Sequence, residues 1–254
     1  MGAGHTHALY VHEHSPTHRL AAEAKIVATL GMVIAVAVTP RRAVWAFGVY
    51  ALLIGALVLT SRVPLRFLLT RLVAVAPFVL FALFIPFIAA GETVDVIGVA
   101  LSVEGLWGAW NVIAKAVLGA SVSILLTATT EVTDIIRGLG VIRVPVVFTS
   151  IATFMIRYLE LVSDELGRMR VAMTARAYDP KWLAQARPIA TSAGVLFVRS
   201  FERGERAHAA MVSRGYTGVM PDLGRTRANA TDWVRVALVV VPFVSIAATA
   251  LVVT

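Results

Sequence analysis

Two short stretches of this sequence set a rigid cation among small neighbours. Residues 173–178 read Met-Thr-Ala-Arg-Ala-Tyr, and residues 211–216 read Met-Val-Ser-Arg-Gly-Tyr. Both follow the form Met-x-small-Arg-small-Tyr, with Arg176 and Arg214 lying 38 residues apart. A guanidinium is a planar fork of donors that matches a carboxylate. At the C-terminus of a helix its charge also interacts favourably with the helix dipole. The flanking Ala175, Ala177, Ser213 and Gly215 are small enough to let another backbone come close. The chemistry offered is recognition of a partner surface. The plainer alternative is two ordinary basic helix ends, which cytoplasmic segments of membrane proteins carry in any case.

Other reactive residue types are sparse or scattered. His5, His7, His12, His14 and His18 crowd the first 18 residues, and histidine-rich tracts bind divalent metals. His5, His7, His12 and His14 are therefore candidate metal ligands, although no bracing element is evident around them. Glu131 and Asp134 stand close together without a histidine beside them. There is no Gly-x-x-x-x-Gly-Lys-Ser/Thr loop to cradle a nucleotide. The complete absence of cysteine removes disulfides, thiolate metal sites and a cysteine nucleophile. The reading is a non-catalytic chain that holds no cofactor of its own.

The elements that must position the arginines follow from composition. Of 254 residues, 58% are hydrophobic and 15% charged, against roughly 25% charged in a typical soluble domain. Mean hydropathy is +0.81. Disorder is excluded, because disordered chains are polar and charge-rich. A net charge of +8 on so apolar a chain reads as cytoplasmic loop charge on a membrane protein, not as a nucleic-acid surface. The charges are concentrated: Arg157 to Arg235 holds 21 of them in 79 residues, and the other 175 residues hold 17.

Uncharged runs mark the spans, since a helix needs about 20 apolar residues to cross ~30 Å of hydrocarbon. The candidates are Ile26–Pro40, Val44–Ser61, Leu72–Gly91, Gly105–Thr130 and Val236–Thr254. Lys115 is the one charge within these spans, and its position near the outer end reads as snorkelling. A sixth run, Val144–Ile156, is too short alone. The connection 62–71 carries Arg62, Arg66 and Arg71, and 131–143 carries Arg137 and Arg143. Between them, 91–104 has Glu92, Asp95 and Glu104 and no Lys or Arg. The positive-inside rule then puts the N-terminus and 131–233 in the cytoplasm. Arg41-Arg42 falls on the outer side and fits that scheme poorly. With both flanks inside, 144–156 reads as a membrane-edge or re-entrant helix.

The expected fold is thus an all-α integral membrane protein with about five transmembrane helices, or six if 144–156 crosses. Its parts are a histidine-rich tail at 1–25, four spans in 26–130, a cytoplasmic region at 131–233, and a last span in 234–254. Within that region Met155, Leu159, Val162, Leu166, Met169 and Met173 recur at spacings of 4 and 3, an amphipathic helical stripe. Asp179-Pro180 ends that helix. A second helix is expected from near Pro188 to Ser213, with Phe197, Phe201, Gly204, His208 and Met211 on its stripe. Such stripes bury against each other or lie on the membrane.

At these residues the sequence resembles a family. The paired arginine motifs resemble the X-Arg-Gly signatures of the transmembrane (T) components of energy-coupling factor (ECF) transporters. The stretch from Ser200-Phe-Glu-Arg-Gly-Glu-Arg206 into Ala210-Met-Val-Ser-Arg-Gly-Tyr216 is similar to the cobalt branch, the CbiQ-like proteins. His18-Arg-Leu20 followed by Lys25 is similar to that branch's opening motif. Gly140 to Pro145, Met155-Ile-Arg157-Tyr158 and Glu165 fit it as well. Two departures stand out. Ala177 replaces the glycine of the first signature, which leaves room for a different helix end. Ala21-Ala22 replaces an Asp-Pro pair.

The resemblance implies a scaffold in a bacterial or archaeal cell membrane. Two CbiO-like ABC ATPases would receive the two helix ends, one arginine motif each. A CbiM-like membrane subunit would carry the substrate, with a small CbiN-like subunit beside it. ATP would be bound by the ATPases, and cobalt would be the cargo. A nickel or vitamin importer of the same build is the alternative, and a stand-alone secondary transporter a more distant one. The latter would need ionisable groups within its spans, and no carboxylate pair is found there.

Overall fold

A computed structural model describes residues 17–18, 20–90, 93–96, 99–178, 182, 187–218 and 228–253. Nine α-helices are found among them. They are α1 (Ala22–Val38), α2 (Val44–Ser61), α3 (Leu65–Leu72), α4 (Ala76–Ile88), α5 (Val103–Thr129), α6 (Val132–Val141), α7 (Val146–Ala175), α8 (Arg187–Val212) and α9 (Ala230–Val253). A single 3-10 turn, Val73–Val75, joins α3 to α4. Five segments are long and apolar enough to cross a membrane: Val44–Ser61, Leu65–Ile88, Val103–Thr129, Val146–Ala175 and Ala230–Val253. The helical membrane architecture is therefore as expected.

The details differ in four places. First, the charged connection 62–71 is not irregular, because Leu65–Leu72 forms α3. Its arginines stay compatible with a helix, since Arg71 lies 4.1 Å over the Phe67 ring in a cation–π contact. Second, the connection between α4 and α5 holds a short antiparallel hairpin, β1 (Thr93–Val96) with β2 (Val99–Ser102), pairing Thr93 with Ser102. Third, Val144–Ile156 is not a separate element: from Val146 it is continuous with the amphipathic helix as the 30-residue α7. Fourth, the run Ile26–Pro40 falls on α1, which is 17 residues long, about 26 Å at 1.5 Å per residue. It is shorter than the five segments above, among which α7 stands in its place.

The chain divides into two compact units, one within Arg143–Arg225 and one within Leu9–Ile142 and Thr226–Thr254. The second unit is the helical bundle, with its core between α1, α2, α5 and α9. Tyr50 is fully buried there. Its ring stacks on Phe243 with centroids 5.2 Å apart. Its hydroxyl donates to the Phe243 carbonyl at 3.2 Å and lies 3.0 Å from Thr39 Oγ1. The Thr39 hydroxyl in turn donates to Ala35 O. A buried phenol needs such partners, and these tie α1, α2 and α9 together at one point.

Lysines close two of the helices. The last carbonyls of a helix lack partners within it. Lys25 Nζ of α1 donates to Thr129 O at the end of α5 at 2.8 Å. Lys115 Nζ of α5 donates to Ala37 O at the end of α1 at 2.7 Å. Lys115 thus also caps a helix end. Arg41 and Arg42, which fit the charge scheme poorly, both approach Glu104 in the first turn of α5, at 2.6 Å and 4.0 Å.

Candidate functional site

The unit containing α7 and α8 carries both arginine motifs, and the two helices end alike. At the end of α7, Tyr178 N–H donates to Met173 O at 3.1 Å and Ala177 N–H to Thr174 O at 3.0 Å. At the end of α8, Tyr216 N–H donates to Met211 O at 3.0 Å and Gly215 N–H to Val212 O at 2.9 Å. These are the 6→1 and 5→2 bonds of a Schellman closure. Arg176 and Arg214 are the capping residues in both cases. The residue after each arginine is left-handed, with φ of 55° at Ala177 and 84° at Gly215. The methionine and tyrosine of each motif are half-buried, and the arginine is exposed.

The repeat in sequence is therefore a repeat in three dimensions. Replacement of glycine by Ala177 leaves the closure unchanged, although the left-handed region costs an L-residue about 1–2 kcal/mol. Ala175 and Ser213, one residue before each arginine, are exposed as well. Each helix thus ends in an accessible guanidinium with no bulky neighbour on either side. Among the described residues of this unit, the ion pairs join Glu165 to Arg168 and Arg199, and Glu202 to Arg206. Neither capping arginine takes part in them.

Glu165 holds α7 to α8. Its Oε1 accepts from Arg199 Nη1 of α8 at 2.5 Å, and its Oε2 accepts from Arg168 Nη2 of α7 at 2.6 Å. The carboxylate is 16% exposed and both arginines more than 60%. No periodicity in the sequence could reveal this bond, because its partners are 34 residues apart. The only sequence signal is the place of Glu165 in the family run.

The apolar stripes are covered only in part. On α7, Met155 and Leu159 are exposed, whereas Val162, Met169 and Met173 are half-buried. On α8, Phe197 is 71% and Phe201 58% exposed. The half-buried line on α8 is Leu196, Ser200, Arg203, Ala207 and Met211. No residue of either helix is fully buried. Spacing identifies an apolar face but not what covers it; the Glu165–Arg199 bond joins α8 to α7.

His5, His7, His12 and His14 lie outside the described residues. Among the described residues, no group of three or more His, Asp or Glu side chains is placed to hold a metal ion.

Comparison with known proteins adds two findings. The family model for CbiQ, cobalt transport protein, matches residues 13–223. The chain is also 28% identical over 184 residues to an uncharacterised protein of Methanocaldococcus jannaschii, an alignment covering 68% of this chain and 62% of that protein. This chain therefore spans less than two thirds of the length of that relative.

Proposed function

Because the chain belongs to the CbiQ family of cobalt transport proteins, we propose that it is the transmembrane scaffold of an ECF-type importer for cobalt. In this reading α7 and α8 dock on two separate CbiO-like ATPases, with Arg176 and Arg214 as the contact residues. A CbiM-like subunit, accompanied by a CbiN-like one, carries the ion. ATP hydrolysis moves the ATPases, and α7 and α8 pass that movement to the membrane subunits.

The observation that carries this reading is the matched pair of helix closures. Two surfaces of the same backbone geometry, each presenting an exposed arginine, suit a partner present in two copies. Charge density supports a cytoplasmic position for them. Between Arg157 and Arg170, α7 bears six charged residues, which hydrocarbon does not accept without high cost. We therefore place α7 along the membrane surface with its apolar first turns at the interface, and both chain segments flanking it in the cytoplasm.

The test is ATP-driven uptake. Vesicles containing the chain with its ATPases and substrate subunit are expected to accumulate cobalt only with ATP, and vesicles with the chain alone to accumulate none. Cobalt flux through the chain alone would contradict the scaffold reading and favour a secondary transporter.

A further inference from the structure

The unit that contains α7 and α8 is joined to the bundle by two segments, one after α6 and one before α9. Within the bundle, the parts of the chain leading to those segments converge on one place, the first turn of α1.

Three contacts define that place. Lys25, 8% exposed, donates from Nζ to Thr129 O at 2.8 Å, Thr130 Oγ1 at 3.1 Å and His18 O at 3.4 Å. It thereby holds the corner between α5 and α6. Gly138 of α6 lies directly on the α1 backbone. A Cβ there would meet Glu23 N at 3.0 Å, the Ala22 carbonyl carbon at 3.2 Å and Ile26 Cδ1 at 2.9 Å. Glu23, 7% exposed, accepts from Ala228 N–H at 2.6 Å, two residues before α9 begins.

Buried charges are costly unless they are paired and hydrogen-bonded. Placing two of them, of opposite sign, two residues apart on one helix turn calls for a reason beyond packing. Their partners supply one. The cation holds the chain on its way out to α7, and the anion holds the chain on its way back from α8. Lys25 also meets the negative end of the α5 dipole, where a cation is favoured.

We propose that Glu23 and Lys25 are positioning residues that fix, at the first turn of α1, the two parts of the bundle that lead to the α7–α8 unit, the corner between α5 and α6 and the approach to α9, so that movement of α7 and α8 reaches the membrane helices instead of being absorbed there. This inference rests on the coupling role proposed above. It assigns a function to the buried lysine and adds Glu23, which the sequence motif did not single out.

The test has two arms. In the first, the whole chain alone is placed in nanodiscs. Spin labels are introduced by cysteine substitution at Ser123 of α5 and Val141 of α6, and in a second sample at Ser123 and Asn229. Lys25→Met is expected to broaden the first distance distribution, and Glu23→Ala the second, each about twofold or more; Lys25→Arg, which keeps the cation, is expected to broaden the first less than Lys25→Met. Unchanged distributions in both variants would overturn the anchor, whatever the chain transports.

In the second arm, the complex with its ATPases is purified and reconstituted. The variants are expected to retain the ATPases and hydrolyse ATP, while cobalt taken up per ATP falls roughly tenfold, the scale set by loss of one charge-assisted contact. Normal uptake per ATP in both variants would overturn the inference. If the wild-type complex itself shows no ATP-driven uptake, the coupling role fails, and the anchor with it loses its stated purpose. Should Lys25→Met not fold, Gly138→Ala tests the same junction without removing a charge. It is expected to lower uptake per ATP in the same direction, and unchanged coupling there would count against the anchor.

Discussion

Ala177 and Gly215 occupy equivalent left-handed positions, each one residue beyond the arginine that closes its helix. The two closures share the same pair of hydrogen bonds, from residues 177 and 178 to 174 and 173, and from 215 and 216 to 212 and 211. A glycine enters this conformation without steric cost and an alanine does not. The pair therefore differs in strain but shares one hydrogen-bond pattern, and each closure leaves its arginine exposed.

Ala177→Gly is expected to relieve that strain. Relief of about 1 kcal/mol would slow amide exchange at Tyr178 roughly fivefold. Gly215→Ala should do the reverse at Tyr216. Hydrogen exchange on the purified chain reads both, and equal rates before and after substitution would mean that the closures are not what orders these helix ends.

Lys115→Met removes the donor that closes α1 while keeping a long apolar side chain. The Ala37 carbonyl then loses its partner inside the bundle. Intramembrane hydrogen bonds of this kind contribute about 0.6–2 kcal/mol, so a modest fall in thermal stability in detergent is expected, without loss of the helical spectrum. An unchanged unfolding midpoint would show that the bond at 2.7 Å carries no weight.

Glu165→Gln is expected to loosen α8 on α7. Spin labels on cysteines at Gly167 and Gly194, both with open space around them, would report a broader distance distribution in the variant. Arg206→Ala serves as the control, since Arg206 is paired with Glu202 within α8. A Glu165→Gln distribution as narrow as the wild type would shift the weight of the α7–α8 contact to the half-buried line through Leu196 and Met211.

Membrane topology offers a further check. Cysteines at Arg143 and Asp164 flank the apolar first turns of α7 in a chain that otherwise lacks cysteine. Both are expected to label from the cytoplasmic side. Labelling from opposite faces would make α7 a sixth crossing.

Much of this arrangement is legible in the residues. Val44–Ser61 is bounded to the residue, because Arg41-Arg42 and Arg62 mark its ends in charge. The motif at 173–178 and 211–216 reveals the helix ends, because a closure depends on six consecutive residues. Contacts between distant elements are not legible. Lys25 with Thr129, Glu165 with Arg199 and Glu104 with Arg41 all join residues far apart in the chain. The α3 helix escapes a reading of charge for another reason. Arg66 and Arg71 count as loop charge, yet a helix accommodates arginines beside aromatic and aliphatic residues, as Arg71 over Phe67 shows.

The most direct measurement is co-purification of the chain with its ATPases, together with cobalt uptake, for Arg176→Ala, Arg214→Ala and the double variant. A buried charge-assisted contact is worth about 1.5–3 kcal/mol, so each single variant should bind the ATPases ten- to hundredfold more weakly, at about 1.4 kcal/mol per tenfold. The double variant should fail to assemble or should hydrolyse ATP without uptake. Arg→Lys should not restore binding, because lysine lacks the planar fork. The bundle itself should remain folded, since neither arginine belongs to its unit. If the double variant assembles with its ATPases and accumulates cobalt at the wild-type rate, Arg176 and Arg214 are not the coupling contacts.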